Sequence, residues 1–314
     1  MAVCAGLVLV KVSNRLLSGV VLGFASFAAF TFSDASVKLV AGGVPPYESA
    51  FFGALFGLVA LPFLRGKDRW GDIFVTVNRP LWWLRFASMG ISTIGSVTAF
   101  THLSMAEAFA LIFLQPAYVT VMSVLFLHER VRLIRWGAVV LGFIGVLVVL
   151  RPGFRELSIG HLGAVLAGLG GSLSIVIFRA VGPREKRLSL YGAGVVGGIT
   201  LCGLIMAAHF IWPSPRIWLC LAGYGLLAAL ANVLMMRAAR HAPAAILAPT
   251  QYSQMLWALL IGAVVFHDRI DTPTLIGIVL IIGSGLVTVL REKKRGTALP
   301  PPMEGAAATT RPDA

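Results

Sequence analysis

Ten long apolar runs divide the chain, and charged residues or prolines separate most of them. A helix needs about 20 apolar residues to cross the roughly 30 Å of hydrocarbon in a bilayer. Most runs approach that length, and none alternates polar and apolar positions as the strands of a membrane barrel do. The pattern predicts ten transmembrane helices, at about residues 17–40, 46–64, 81–105, 107–127, 133–150, 161–178, 188–210, 216–236, 243–266 and 273–290.

The composition agrees with an all-α integral membrane protein. Of the 314 residues, 58% are hydrophobic and 12% are charged, whereas soluble domains carry about 25% charged residues. The mean hydropathy is +0.87. Ten spans of about 21 residues would use about 210 residues. No soluble catalytic domain fits into the remainder, so the function must lie among the helices or on short loops.

The basic residues predict the orientation, because cytoplasmic loops carry an excess of Lys and Arg. With ten helices and the N-terminus inside, 21 of the 26 basic residues fall on the inner side. The five on the outer side are Lys38, Arg151, Arg155, Arg216 and Arg269. We therefore expect a multi-pass protein of the cell inner membrane with both termini in the cytoplasm. The same asymmetry explains the net charge of +13, so nucleic acid is not an expected partner.

The two halves of the chain resemble each other. The tripeptide His-Glu-Arg at 128–130 ends the fourth run, and His-Asp-Arg at 267–269 ends the ninth, 139 residues later. The same offset, or one residue more, relates Gln115 to Gln254, Gly137 to Gly277 and Gly145 to Gly285. Because each half holds five helices, an odd number, the second half must cross the membrane in the opposite orientation. Such inverted repeats enclose a midplane site in secondary transporters.

Two stretches resemble a known family: AEAFALIFLQPAYVTVMSVLFLHERVRLIRWGAVVLGFIGVLVVLRPG and APAAILAPTQYSQMLWALLIGAVVFHDRIDTPTLIGIVLIIGSGLVTVL. They are similar to the two EamA domains of the drug/metabolite transporter (DMT) superfamily. The resemblance implies a ten-helix permease with two inverted repeats and a central pathway lined mainly by helices 1, 3, 4, 6, 8 and 9. The subgroup that it resembles most contains riboflavin and S-adenosylmethionine transporters. Many members of that subgroup have an acidic residue at the position of Gln251.

Pattern and resemblance together predict four parts of the chain. Residues 1–16 form a cytoplasmic N-terminal segment, residues 17–151 the first EamA repeat and residues 152–291 the second. Residues 292–314 are rich in Pro, Ala and Thr, and such a composition is typical of a disordered cytoplasmic tail.

The middles of the fourth and ninth helices offer a substrate site. Gln115 and Tyr118 stand three residues apart, with a proline between them that removes a backbone hydrogen bond. The ninth helix carries Gln251 and Gln254 on one face, with Tyr252 and Trp257 nearby and a proline at 249. Amides on two loosened helices at the midplane suit a neutral or zwitterionic metabolite. The alternative is plain hydrogen bonding between helices. Lesser candidates for the pathway are Tyr224, Asn232 and Ser174.

Four ionisable side chains are candidates for coupling. Asp34 and Lys38 stand at i and i+4 on the first helix and could pair with each other. In one interpretation, these two residues contact a substrate or a proton. In the other, they form a self-neutralising pair near the membrane surface. His102 and Glu107 flank the junction of the third and fourth helices. In one interpretation, this pair relays protons. In the other, it makes a solvated contact in the loop.

These features favour a secondary transporter of a small polar metabolite such as a vitamin, a nucleoside-like or an amino-acid-like compound. An amino-acid or drug efflux permease of the same fold is the alternative. An intramembrane enzyme would need a buried nucleophile and base or a metal motif, and the sequence contains neither, so we expect no enzyme, cofactor or metal. The remaining partners are the lipid bilayer and, through glycine-spaced helix faces, a second copy in a homodimer.

Overall fold

The structure, a computed structural model, describes residues 2–65, 69–129, 131, 133–151, 156–181, 187–242, 244–268 and 271–293. Every regular element in these ranges is a helix. The α-helices are α1 (Ala2–Lys38), α2 (Pro46–Gly57), α3 (Leu61–Arg65), α4 (Arg79–His102), α5 (Met105–Ile112), α6 (Gln115–Leu127), α7 (Leu133–Leu150), α8 (Ile159–Val181), α9 (Arg187–Ala208), α10 (Pro215–Ala239), α11 (Ala244–Leu247), α12 (Ser253–Val265) and α13 (Thr272–Lys293). Short 3₁₀ helices cover Leu58–Ala60, Trp70–Ile73 and Ala248–Tyr252.

All ten predicted runs coincide with helices, and the all-helical fold class is confirmed. Three runs contain an interruption that the hydropathy pattern did not reveal. The second is interrupted at Leu58–Ala60, the fourth between Ile112 and Gln115, and the ninth at Ala248–Tyr252. The backbone of α1 is already helical from Ala2, within the predicted N-terminal segment. Most of the predicted tail lies outside the described residues.

The outer surface of the helices is apolar. Five helical stretches are long and apolar enough to cross a membrane: Leu16–Lys38, Pro46–Phe63, Met105–Leu127, Ile159–Phe178 and Pro215–Ala239. Shorter apolar helices add Trp136–Leu150, Gly192–Ala208 and Thr272–Val287. Large side chains on these surfaces are open to the surroundings, such as Leu219, which is 74% exposed. Continuous exposed apolar surface is unfavourable in water and favourable in lipid, so the chain is a multi-pass membrane protein.

Pairs of glycines bring neighbouring helices into close contact. A Cβ atom placed on Gly95 of α4 would lie 2.6 Å from the carbonyl oxygen of Gly163 on α8, and one on Gly163 would lie 2.7 Å from that of Gly95. Gly145 of α7 and Gly277 of α13 face each other in the same way, at 2.9 and 2.6 Å. Small residues allow such approach and maximise backbone packing in lipid. These four glycines therefore serve helix packing.

An ion pair joins the ends of α7 and α13. The Arg151 guanidinium donates to the carboxylate of Asp271, which also accepts the backbone N–H of Thr274 in the first turn of α13. The hydrogen bond from Arg151, with help from Thr274, lowers the pKa of Asp271 to about 2. Asp271 is therefore ionised at neutral pH and fixes the start of α13 against α7.

The backbone repeats its conformation at the two similar tripeptides. His128 and His267 follow α6 and α12 with φ angles of 53° and 52°. The next N–H group donates six residues back in both places, from Glu129 to Ser123 at 3.2 Å and from Asp268 to Gly262 at 2.9 Å. These six positions form three pairs, each related by the offset of 139 that the sequence suggested. The resemblance of the two halves therefore extends to backbone geometry.

The close approach of α7 and α13 makes Gly277 sensitive to substitution. Gly277→Ala would force the helices apart, and we expect it to lower the free energy of unfolding in mixed micelles by about 1–3 kcal/mol. Gly283→Ala on the same helix is the matched control, because a Cβ there meets nothing within 4 Å. Equal stability of the two variants would contradict the proposed packing.

Candidate functional site

A cavity of about 150 Å³ lies between α1, α4, α5, α6 and the interrupted segment that leads into α12. Its polar lining consists of Asp34, Ser96, Gln115, Gln251, Tyr252 and Gln254. The remaining lining residues are Phe100, Phe109, Ile112, Phe113 and Pro116. Of the sequence-predicted substrate residues, four therefore line one space: Gln115, Gln251, Tyr252 and Gln254.

Two interrupted helices meet at this cavity. The helix α5 ends with the N–H of Phe113 donating to the carbonyl of Phe109 at 2.8 Å, and α6 begins two residues later at Gln115. The 3₁₀ helix Ala248–Tyr252 ends immediately before α12, whose second residue is Gln254. The prolines at 116 and 249 lie in the first turn of their elements, where a missing N–H is tolerated. Both glutamines thus follow a break at corresponding positions of the two halves.

Glycines on neighbouring helices leave room for two of these side chains. A Cβ on Gly171 of α8 would lie 2.5 Å from Nε2 of Gln115, and one on Gly285 of α13 would collide with the Tyr252 hydroxyl. The Ser172 hydroxyl donates to the backbone carbonyl of Gln115 at 3.2 Å, which ties α6 to α8. The polar groups of the cavity are therefore held against helices from the second half.

Aromatic rings form a connected series along the apolar side of the cavity. Phe100 and Phe109 have ring centroids 5.0 Å apart, Phe109 and Phe113 5.9 Å, and Phe113 and Tyr252 6.1 Å. These separations are typical of interacting aromatic pairs. The cavity consequently presents amides and a carboxylate beside a set of ring faces and edges.

The other predicted pathway residues are not part of this lining, as far as the described residues extend. Tyr118 packs against Gly168 of α8, and the ring of Tyr224 packs against Gly53 of α2. The Asn232 amide donates to the Ala228 carbonyl at 2.8 Å. Two further residues complete the set: Ser174, whose backbone carbonyl accepts a hydrogen bond from Arg85 at 2.7 Å, and Trp257, which is half-buried on α12.

The predicted pairing of Asp34 with Lys38 is wrong. The Lys38 ammonium instead donates to both carboxylate oxygens of Asp268, at 3.1 and 2.8 Å. It also lies 4.6 Å from the ring centroid of Phe266. At the end of α1 the long Lys38 side chain reaches the residues that follow α12, whereas Asp34 faces the cavity. The two charges therefore belong to different clusters.

His102 and Glu107 make local contacts at the junction of α4 and α5. Nδ1 of His102 lies 3.0 Å from the Thr98 carbonyl. The Glu107 carboxylate accepts from the Ser104 hydroxyl at 3.0 Å, and the Glu107 N–H donates to the same hydroxyl at 3.2 Å, which forms a capping box at the start of α5. These contacts explain why both residues stand at this junction, and the proton relay stays a prediction.

Sequence reasoning missed the aromatic part of the lining and the role of Asp268. Phe109 and Phe113 stand one turn apart on the fourth run and precede Gln115, but apolar residues on an apolar helix give no distinct signal. Asp268 was interpreted as part of a helix end. Its signal in the sequence is the charged tripeptide that recurs in the two halves.

The chain matches a family model over most of its length. The model described as the EamA-like transporter family matches residues 17–151 and again residues 158–290. Each match covers one of the two similar halves.

Curated relatives align with most of this chain at low identity. An S-adenosylmethionine uptake transporter of Rickettsia conorii is 26% identical over 285 residues, which cover 88% of this chain and 94% of the relative. A pseudopaline exporter of Pseudomonas aeruginosa is 26% identical over 288 residues, which cover 90% of this chain and 99% of the relative. A solved crystal structure aligns with a TM-score of 0.59 over 88% of this chain at 18% identity, which supports the fold alone.

Proposed function

Since the chain belongs to the EamA-like transporter family of the DMT superfamily, we propose that it is a secondary active transporter of the inner membrane. It moves a small polar metabolite by alternating access between two inverted five-helix repeats. The substrate binds in the cavity between α1, α4, α5, α6 and α12, where it contacts Gln115, Gln251, Tyr252 and Gln254.

The observation that carries this proposal is the cavity at two helix interruptions. Inside a bilayer, broken helices occur where protein or a water-filled cavity satisfies the freed backbone groups. In transporters with repeats, such breaks lie at the substrate site and at corresponding positions of the two halves. The breaks before Gln115 and Gln254 border the cavity and occupy corresponding positions of the two halves, which supports a substrate site there. The equivalent backbone conformations at His128 and His267 support the division into two repeats.

The lining favours a substrate with several hydrogen-bonding groups. Each glutamine amide offers two donors and one acceptor oxygen, and the Tyr252 hydroxyl adds a further donor and acceptor. S-adenosylmethionine and pseudopaline, the compounds named for the two relatives, are the first candidates. An uptake transporter and an exporter match this chain at the same identity, so an efflux permease of the same fold is the second candidate function.

The test is counterflow in proteoliposomes. Vesicles that contain the purified protein are preloaded with unlabelled S-adenosylmethionine and diluted into labelled S-adenosylmethionine. A carrier accumulates label transiently against its gradient, whereas a channel only equilibrates it and an enzyme converts it. Riboflavin and amino acids are tested in the same way. Equilibration without an overshoot for every compound would contradict a carrier.

We expect the glutamine variants to lose transport without losing the fold. Gln251→Leu and Gln254→Leu remove hydrogen bonds that a bound polar substrate would otherwise make, and each loss of about 1.5 kcal/mol lowers affinity about ten-fold. The measurement is the initial counterflow rate per molecule of membrane-inserted protein.

Thr93→Val is the matched control, because the Thr93 hydroxyl donates only to the Met89 carbonyl of its own helix at 2.8 Å. It should transport at the wild-type rate. Undiminished counterflow in both glutamine variants would contradict a role of this cavity in transport.

A further inference from the structure

Among the residues that the structure describes, none pairs as a counter-ion with the Asp34 carboxylate, which lines the cavity. Lys38, one helical turn away, is held by Asp268. No hydrogen bond or ion pair reaches the Asp34 carboxylate from the described residues. A charged carboxylate inside a membrane costs several kcal/mol unless a partner or water compensates for it. The bound molecule is in a position to supply the missing positive charge.

The cavity wall near Asp34 is suited to an organic cation. Phe100, Phe109, Phe113 and Tyr252 belong to the same lining as Asp34. Aromatic faces attract ammonium and quaternary ammonium groups, most strongly where water is excluded. An acid combined with several rings therefore binds a cation better than it binds a neutral polar group.

We propose that Asp34 binds a positively charged ammonium or sulfonium group of the transported molecule, while the glutamine amides bind its uncharged polar part. The substrate class is then an organic cation or a zwitterion with a cationic group. This inference rests on the proposed function, because it assigns a substrate class to the same cavity.

The test compares two probes with the same nucleoside. S-adenosylmethionine carries a sulfonium and an ammonium group, and 5′-methylthioadenosine carries neither. We expect Asp34→Asn to weaken binding of S-adenosylmethionine about 10- to 100-fold, the loss typical of a hydrogen bond to a charged group. Binding of 5′-methylthioadenosine should change less than about three-fold, and Asp34→Glu should retain the preference for the cation.

Two results would overturn the assignment. One is an equal effect of Asp34→Asn on both probes, including no effect on either. The other is a wild-type protein that binds neither S-adenosylmethionine nor choline, which serves as a second cationic probe. A failed transporter hypothesis gives a different result, namely binding of probes with no counterflow in wild-type vesicles. Thermal unfolding of Asp34→Asn checks the fold, which should be unchanged or more stable because a buried charge is removed.

A second, independent observation concerns Asp268, which joins three elements that contribute to the cavity lining. Its carboxylate accepts from Lys38 at the end of α1 and from the backbone N–H of Met105 at the start of α5, the latter at 3.0 Å. Asp268 itself follows the end of α12. Since α1, α5 and α12 carry Asp34, Phe109 and Gln254 of the lining, this carboxylate holds three walls of the cavity together.

Glu129, the acid of the first half that corresponds to Asp268, differs from it in exposure. Glu129 has the same backbone surroundings as Asp268 at the offset of 139, yet its side chain is exposed. Met105 corresponds at this offset to Ala244, the first residue of α11. Within the described residues, only Asp268 of these two acids therefore makes a contact of this kind.

The geometry points to Asp268 as a latch that closes one mouth of the cavity, with Glu129 as the corresponding acid for the other mouth. When the repeats exchange conformations, the Asp268 contacts open and Glu129 accepts the N–H of Ala244. Two acids in repeated surroundings then alternate between a bonded and an exposed state.

Cysteine labelling tests this latch. In a variant in which Cys4, Cys202 and Cys220 are replaced by Ser, Ser96→Cys places one thiol in the cavity. A membrane-impermeant maleimide is added from the side of Asp271. We expect Asp268→Asn to raise the labelling rate at least about five-fold, because it shifts the population towards the open mouth. Lys38→Gln removes the other partner of the same contact, and we expect it to raise the labelling rate as well.

Asp271→Asn is the matched control. It removes an ionised carboxylate at the same end of the molecule, but the partner of Asp271 is Arg151, which follows α7 and lies outside the cavity lining. Its labelling rate should equal that of the parent. An unchanged rate in both Asp268→Asn and Lys38→Gln, or an equal increase in Asp271→Asn, would overturn the latch.

Discussion

The central physical constraint on this protein is that a backbone inside a lipid bilayer must have its N–H and C=O groups satisfied. Uninterrupted helices meet this requirement on their own, and most of the chain uses them. Interruptions are tolerated only where protein or a cavity surrounds the freed groups. The breaks before Gln115 and Gln254 lie beside a cavity, and both glutamine side chains belong to its lining.

The sequence predicted the helices well because hydropathy is a property of long stretches. All ten predicted runs coincide with observed helices. The offset of 139 also placed Gln115 and Gln254 at equivalent positions, and the structure brings both to one cavity. The breaks in the helices escaped prediction, because a proline in an apolar run is compatible with a kink, a first turn or a 3₁₀ segment.

The sequence alone could not predict which charged residues form ion pairs with each other. The spacing of Asp34 and Lys38 is that of an ion pair within a helix, but Asp268, 230 residues from Lys38, competes successfully for the ammonium. Asp268 presents two oxygens beside Phe266, whose ring also attracts the cation. Such long-range competition depends on how helices pack. The outcome matters for function, because it leaves an acid in the cavity and places a latch at its end.

Alternating access in this protein requires that the two halves cross the membrane in opposite orientations around one shared cavity. The most direct test labels single cysteines introduced at Glu129 and at Asp271 with an impermeant maleimide, in intact cells and in inverted vesicles. Opposite orientations predict that the Asp271 position reacts from outside the cell and the Glu129 position only in inverted vesicles. Reaction of both positions from the same side would contradict the inverted arrangement and the alternating cavity with it.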